Sequence, residues 1–212
     1  RSHDSGAFFF SDTTQAVGKL RIDVEEEGID LCCLSAHKFY GPKGVGALYV
    51  RRKNPRVTLA PQLDGGGHEN GRRSGTMNVP GIVGMGAAAA IAAREWWTDA
   101  EHVSVLRTQL EQCILDFGAV SVNGNTRYRL PNTTNLCFHG RPATELIKGL
   151  REVGVSSGSA CSSALPEPSH VLKAMGLPDA DAYASIRFSL GKFTTEEEIV
   201  TAIEEVKRCL LS

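Results

Sequence analysis

The sequence predicts an α/β protein built in two parts. Three observations carry this. Short apolar runs bounded by glycine and polar turns occur at 31 to 34 and 46 to 50, the first the pattern of a buried strand and the second that of another strand. Val103, Leu106, Leu110, Cys113, Ile114 and Phe117 recur at helical spacing. Thr195-Glu196-Glu197-Glu198 precedes an apolar stripe, the signature of a capped helix start.

Taken in order, Ala7 to Phe10 reads as a strand and Asp12 to Lys19 as a turn with a short helical piece. Leu31 to Leu34 and Gly46 to Val50 read as strands, the second followed by the basic turn Arg51-Arg52-Lys53-Asn54-Pro55. Residues 61 to 78 form a long glycine-rich loop, a length that usually marks function. Pro80 to Trp97 reads as a helix of mostly small residues, and a second helix covers Val103 to Phe117. Val120 to Val122, Asn135 to Phe138 and Ile186 to Leu190 read as strands. Ala143 to Glu152 reads as a helix stopped by Gly154. The last helix buries Ile199, Ala202, Ile203, Val206 and Leu210. A composition shift near residue 95 divides the chain into 1–95 and 96–212.

Composition excludes several roles. An apolar share of 42% is enough for a packed core. A net charge of −1 gives no electrostatic case for nucleic acid or an anionic membrane surface. No apolar run reaches the ~18 residues of a spanning helix, and the start is not a secretory signal. The cysteines at 32, 33, 113, 137, 161 and 209 are scattered, with no metal spacing, so no metal is expected. A reducing compartment fits, cytoplasmic or mitochondrial. Cys32, Cys33, Cys113 and Cys209 read as core residues, and His3, His102, His139 and His170 as surface or structural ones.

The chemistry concentrates elsewhere. Lys38 closes the run that begins at Leu31 and opens the turn Phe39-Tyr40-Gly41-Pro42-Lys43-Gly44. A lone lysine at a strand end is ordinarily a solvated side chain. The end of a buried strand is also a place for an amine that forms an imine with an aldehyde cofactor. Asp12 ends another apolar run, where a carboxylate could keep a pyridine nitrogen protonated. Ser35 and His37, a hydroxyl and an imidazole flanking this stretch, suit a phosphate. Arg187 sits inside Ile186-Arg-Phe-Ser-Leu, and a charge that cannot be neutralised needs a partner. A planar carboxylate, held by two parallel bonds, is the natural one. Cys161 lies among small polar residues, unlike a structural cysteine.

Asp12-Thr-Thr-Gln15, Ser35-Ala-His-Lys38, Gly65-Gly-Gly-His-Glu69 with Arg73-Ser-Gly-Thr76, Ser156-Ser-Gly-Ser-Ala-Cys161 and Ser185-Ile-Arg-Phe-Ser-Leu-Gly191 occur in that order. Together they resemble the pyridoxal-phosphate cysteine desulfurases of the NifS/IscS type. The resemblance runs from about Phe8 to the C-terminus. It implies a fold-type-I transferase, of which this chain is the C-terminal part of the large mixed-sheet domain plus the small α/β domain. The family's N-terminal half carries a ring-stacking histidine, a phosphate threonine and a carboxylate-binding asparagine that these motifs do not include.

The resemblance implies a set of roles. Lys38 holds the cofactor and moves protons. Asp12 pairs with the ring nitrogen and Gln15 donates to the ring oxygen. Ser35 and His37 bind the phosphate, with Thr76 reaching it from the other subunit of a homodimer. Arg187 takes the α-carboxylate of L-cysteine. Cys161 is the nucleophile that keeps the sulfur as a persulfide, and a mobile loop suits delivery to an iron–sulfur scaffold or another acceptor protein. His68 is expected near the site. Selenocysteine lyase, an aminotransferase and a catalytically silent dimerisation or scaffold-binding chain are the alternatives.

Overall fold

The computed structural model describes residues 2–157 and 168–211. By contacts between its parts the chain divides into two units, Arg1–Trp97 and Thr98–Ser212.

The first unit is built on a three-stranded mixed sheet. Strand β1 (Phe10–Asp12) pairs parallel to β2 (Leu31–Ser35), which pairs antiparallel to β3 (Gly46–Val50). The first strand sits later than its apolar run suggested. Phe8, Phe9 and Phe10 are exposed, and the ladder starts only at Phe10↔Leu31.

The parallel register is set by Asp30. Its backbone N–H donates to the carbonyl of Phe9 at 2.9 Å, and its side chain accepts from the Phe9 N–H at 2.8 Å. The carboxylate is fully buried, faces His3 at 2.7 Å and Arg51 at 3.2 Å, and is held below the ordinary carboxylate range, first by the Phe9 N–H. A buried charge is tolerable only when paired and bonded in this way. Thr13 closes the other end of the pairing, its N–H and hydroxyl both donating to the Cys33 carbonyl at 3.0 and 2.7 Å.

After β2 the chain makes one 3-10 turn, Ala36–Phe39, and leaves it through Tyr40 in the left-handed region (φ 68°). Ala36 and Phe39 are buried with Ala88, and Val17, Leu34, Val45, Met85 and Ala92 pack around them. Gly41 is required here. A Cβ on it would lie 2.9 Å from the Ala36 Cβ and 3.0 Å from the Ala36 carbonyl oxygen.

The glycine-rich loop contains a short helical turn, α1 (His68–Gly71), with Glu69 and Asn70 at positive φ. The two helices expected around residue 95 are one, α2 (Val79–Leu115), 37 residues long. Thr98 to His102 contains no glycine or proline, so nothing stops the backbone ladder there.

The second unit is a three-stranded antiparallel sheet in the order β4 (Val120–Val122), β5 (Thr133–Phe138), β6 (Ser185–Ser189). Leu136 and Phe138 of β5 and Ile186 and Phe188 of β6 point to one face. They meet Val103, Leu106, Leu110 and Ile114 of α2 and the buried stripe of α6 (Glu196–Leu211).

The capping box is present at the start of α6. The Thr195 N–H donates to Glu198 at 3.0 Å and the Glu198 N–H donates to the Thr195 hydroxyl at 3.3 Å. The stripe includes Cys209, whose Sγ lies where a Cβ on Gly149 would come within 2.7 Å. Helix α3 (Ala143–Gly149) is shorter than the expected Ala143 to Glu152: Leu150 turns extended and buries its side chain instead. Two short helices that the sequence reading did not single out, α4 (His170–Ala174) and α5 (Asp179–Tyr183), precede β6.

Glu111 is the buried acid among the described residues of this unit. Arg129 grips it with two bonds of 2.7 and 2.9 Å, and the Thr134 hydroxyl donates to it as well. Burial opposes its ionisation, but those bonds win and hold it below its ordinary value.

Candidate cofactor site

Two parallel strands end side by side in the first unit, and the sequence hangs its reactive groups on those ends. In parallel sheets this carboxyl edge is where ligands bind. Asp12, the last residue of β1, is in register with Cys33, two residues before the end of β2.

The Asp12 carboxylate accepts from the Thr14 N–H at 2.9 Å, a local turn that fixes it at the strand end. Bonds from the Thr14 side chain, the Thr14 backbone and Cys33 hold it below the usual carboxylate value. It is exposed and ionised.

Ser35 precedes the 3-10 turn in extended conformation but does not cap it. Its hydroxyl shares a 2.9 Å hydrogen bond with His37 Nδ1. The pair therefore places a hydroxyl and an imidazole together on the exposed side of the turn.

Lys38, in the turn after β2, is exposed. The buried members of its turn are its neighbours Ala36 and Phe39. They fix the backbone, and the amine projects outward.

One residue that sequence reasoning missed ties these segments together. Lys19, half-buried, donates to the Gln15 carbonyl at 3.1 Å and to the Lys38 carbonyl at 3.3 Å. Burial first, then the charge of Lys38, pushes its ammonium below the ordinary lysine value. Its place four residues after Gln15 was the only hint, because the second contact spans 19 residues of sequence.

Thr76 stands exposed in the loop before α2, and among the described residues no hydrogen bond joins it to the Asp12 or Ser35 groups. Arg73 shapes that loop by donating to the carbonyls of Ser74 and Gly75 at 3.2 and 2.7 Å. His68 is exposed at the start of α1. Arg187 belongs to the second unit. It lies opposite Asn135 on β6 with its side chain on the exposed face, while its backbone exchanges hydrogen bonds with Ser156 at 2.7 and 3.2 Å. An alternating strand thus keeps its charge in water, which removes the need for a buried partner. Cys161 lies outside the described residues.

A family model, aminotransferase class-V, matches residues 1–201. The chain belongs to the class-V aminotransferase family. Within it the similarity is to cysteine desulfurases of the NifS/IscS type, as the five motifs suggested. The chain is 54% identical over 197 residues to a cysteine desulfurase IscS of Anaeromyxobacter sp. (strain Fw109-5), covering 92% of this chain and 48% of that protein. It is 51% identical over 205 residues to a cysteine desulfurase IscS of Escherichia coli O139:H28, covering 97% and 50%. The fold matches an X-ray structure of a NifS-like protein from Rickettsia africae with a TM-score of 0.89 at 30% identity, over 100% of this chain and 56% of that one. The chain spans about half the length of the curated relatives it matches.

Class-V aminotransferases depend on pyridoxal phosphate, and the groups at the β1 and β2 ends fit that molecule. An exposed carboxylate held ionised suits a protonated ring nitrogen. A hydroxyl and an imidazole held side by side suit a phosphate. An amine on a turn anchored by Ala36 and Phe39 suits a covalent attachment point.

Proposed function

We propose that this chain carries the lysine, ring-binding and persulfide parts of a cysteine desulfurase that converts L-cysteine to L-alanine. The observation that supports this best is the shared edge of β1 and β2, with Asp12 on one strand end and the bonded Ser35–His37 pair and Lys38 on the other. The similarity to proteins named cysteine desulfurase supports the same reading.

When bound, pyridoxal phosphate supplies an electron sink for the bond broken at the substrate. The chain's own residues do the rest. Lys38 would hold the cofactor by its aldehyde carbon and would carry a proton to and from the substrate Cα. Asp12, kept anionic, balances the charge of a protonated ring nitrogen. Gln15 donates to the ring oxygen. Ser35 and His37 bind the phosphate, and Thr76 reaches the phosphate bound by a second copy, in a homodimer with shared sites. Arg187 takes the α-carboxylate of L-cysteine in a two-bond grip. The Cys161 thiolate attacks the substrate sulfur and forms the S–S bond of a persulfide as the carbon–sulfur bond breaks; the electron pair stays with the substrate β-carbon, which takes a proton on the way to L-alanine, and the persulfide sulfur passes to an acceptor such as an iron–sulfur scaffold.

The test is borohydride reduction of the chain with pyridoxal phosphate, followed by mass spectrometry and by alanine and persulfide assays. Stoichiometric modification of Lys38 with cysteine-dependent alanine release is the expected result. Alanine formation that survives Cys161→Ser would point to an aminotransferase. Preferential turnover of selenocysteine would point to a lyase of that substrate. No modification of Lys38 would leave a dimerisation or scaffold-binding role.

A further inference from the structure

The C-terminal end of β5, the central strand of the second unit's sheet, carries a second constellation. Cys137 and His139 are two residues apart on the β5 path, so their side chains share a face, opposite to Leu136 and Phe138. Ser121 is the cross-strand partner of Cys137 on β4. Helix α5 brings Asp181 to the same place. The Cys137 sulfur lies 3.5 Å from His139 Nδ1, and His139 Nδ1 lies 3.1 Å from an Asp181 carboxylate oxygen. One ligand atom from each of the three residues falls within 4.8 Å of the others.

A cysteine, histidine and aspartate could also form a nucleophile–base–orienter chain. That arrangement needs the thiol on one ring nitrogen and the carboxylate on the other. Here both converge on Nδ1, which can offer one proton or one lone pair. Nε2 is turned the other way, 2.9 Å from the Ser121 hydroxyl. A sulfur and a carboxylate oxygen beside the same ring nitrogen form a grouping that a shared metal ion can occupy.

The Cys137–His139 separation of 3.5 Å is that of two ligands on one ion, and the His139–Asp181 separation of 3.1 Å is slightly shorter. Ligands about 2.0–2.3 Å from a tetrahedral zinc ion stand roughly 3.3–3.6 Å from one another. A sulfur, an imidazole nitrogen and a carboxylate oxygen form a donor set for a borderline divalent ion. The supporting shell is also present. Ser121 orients the ring through Nε2. The buried Ser185 hydroxyl donates to the Asp181 carbonyl at 2.7 Å and receives a bond from Asn123 at 2.8 Å, which pins α5 in place. Cys137 is buried, whereas the His139 and Asp181 side chains keep 44% and 33% of their exposure, so an ion has an entry path and room for a water as fourth ligand.

We propose that Cys137, His139 and Asp181 form a zinc-class divalent-metal site. It shares no residue with the cofactor site. It departs from the expectation, drawn from cysteine spacing alone, that no metal is held.

The test is competition of the full chain with a chromophoric chelator for Zn²⁺, on the parent and on His139→Gln, Cys137→Ser, Asp181→Asn and Cys161→Ser. Equimolar zinc is expected. His139→Gln, an exposed position that leaves the fold intact by circular dichroism, should weaken it by more than the about 10–100-fold typical of outer-shell changes. Ser121→Ala should weaken it about tenfold. Cys161→Ser should bind as the parent does. Absence of equimolar zinc, an unchanged His139→Gln, or loss of zinc only in Cys161→Ser would each overturn the proposal.

Discussion

The ammonium of Lys19 donates to the main-chain carbonyl of Lys38 at 3.3 Å. The same ammonium holds the Gln15 carbonyl at 3.1 Å, so one half-buried cation joins the turn after β1 to the turn after β2. It touches no reacting atom in the proposed chemistry. Its part is to position.

Lys19→Met should therefore weaken the capture of pyridoxal phosphate by about two- to tenfold, the worth of one net hydrogen bond. Lys19→Arg should restore most of it. Borohydride trapping across a range of cofactor concentrations measures both, and equal trapping in Lys19→Met and the parent would sink the idea.

Acid should act through Asp12 only at low pH. Its folded carboxyl lies below the ordinary 3.8, held down first by the Thr14 side chain. A depressed carboxyl contributes stability that is full above 3.8 and is lost as pH falls through the folded value. Cofactor capture by Asp12 should then be flat from neutral pH down to that value. Asp12→Asn should lower capture at neutral pH and flatten this part of the acid limb in thermal unfolding. An acid limb identical in both proteins would count against the assignment.

Gly41→Ala should disturb the Lys38 turn without changing any polar group. Its methyl would meet the Ala36 Cβ at 2.9 Å and the carbonyl that the Gly41 N–H itself bonds at 2.8 Å. Overpacking of this kind costs about 1–3 kcal/mol. The expected result is a lower melting temperature together with reduced Lys38 labelling, read by calorimetry and mass spectrometry on the same sample.

Glu111→Ala should destabilise the second unit by about 3–5 kcal/mol, because Arg129 would keep its charge without its two-bond partner. Denaturant unfolding measures this. A cost under about 1 kcal/mol would class the pair with surface ion pairs.

Legibility in the sequence followed the range of the forces involved. Gly46–Val50 and Val120–Val122 were readable because short apolar runs and the turn residues beside them are local signals. So was the Thr195–Glu198 box, which spans one helical turn. Helix α2 was misread as two because a shift in composition was taken for a break, and the backbone responds only to residues that interrupt its hydrogen bonds. Lys38 was read as an amine at the end of a buried strand and Arg187 as a charge within an apolar strand pattern, and both side chains are exposed, on the 3-10 turn and on an alternating strand. The motif residues Asp12, Ser35, His37 and Lys38 were visible; Lys19 was not, since its second contact depends on how two strand ends meet. The Cys137, His139 and Asp181 group was hidden for the same reason. Its carboxylate comes from 42 residues further along the chain.

The turn Ala36–Phe39 has a mechanical consequence. Both residues that bracket His37 and Lys38 are sunk in the packed interior, one of them with no exposure at all. The main chain beneath the amine is therefore bolted down. Whatever distance the lysine nitrogen must travel, it travels by rotation about its own side-chain bonds, like a tether swinging from a fixed post. The volume it can sweep is set by the length of its methylene stem and by nothing slower.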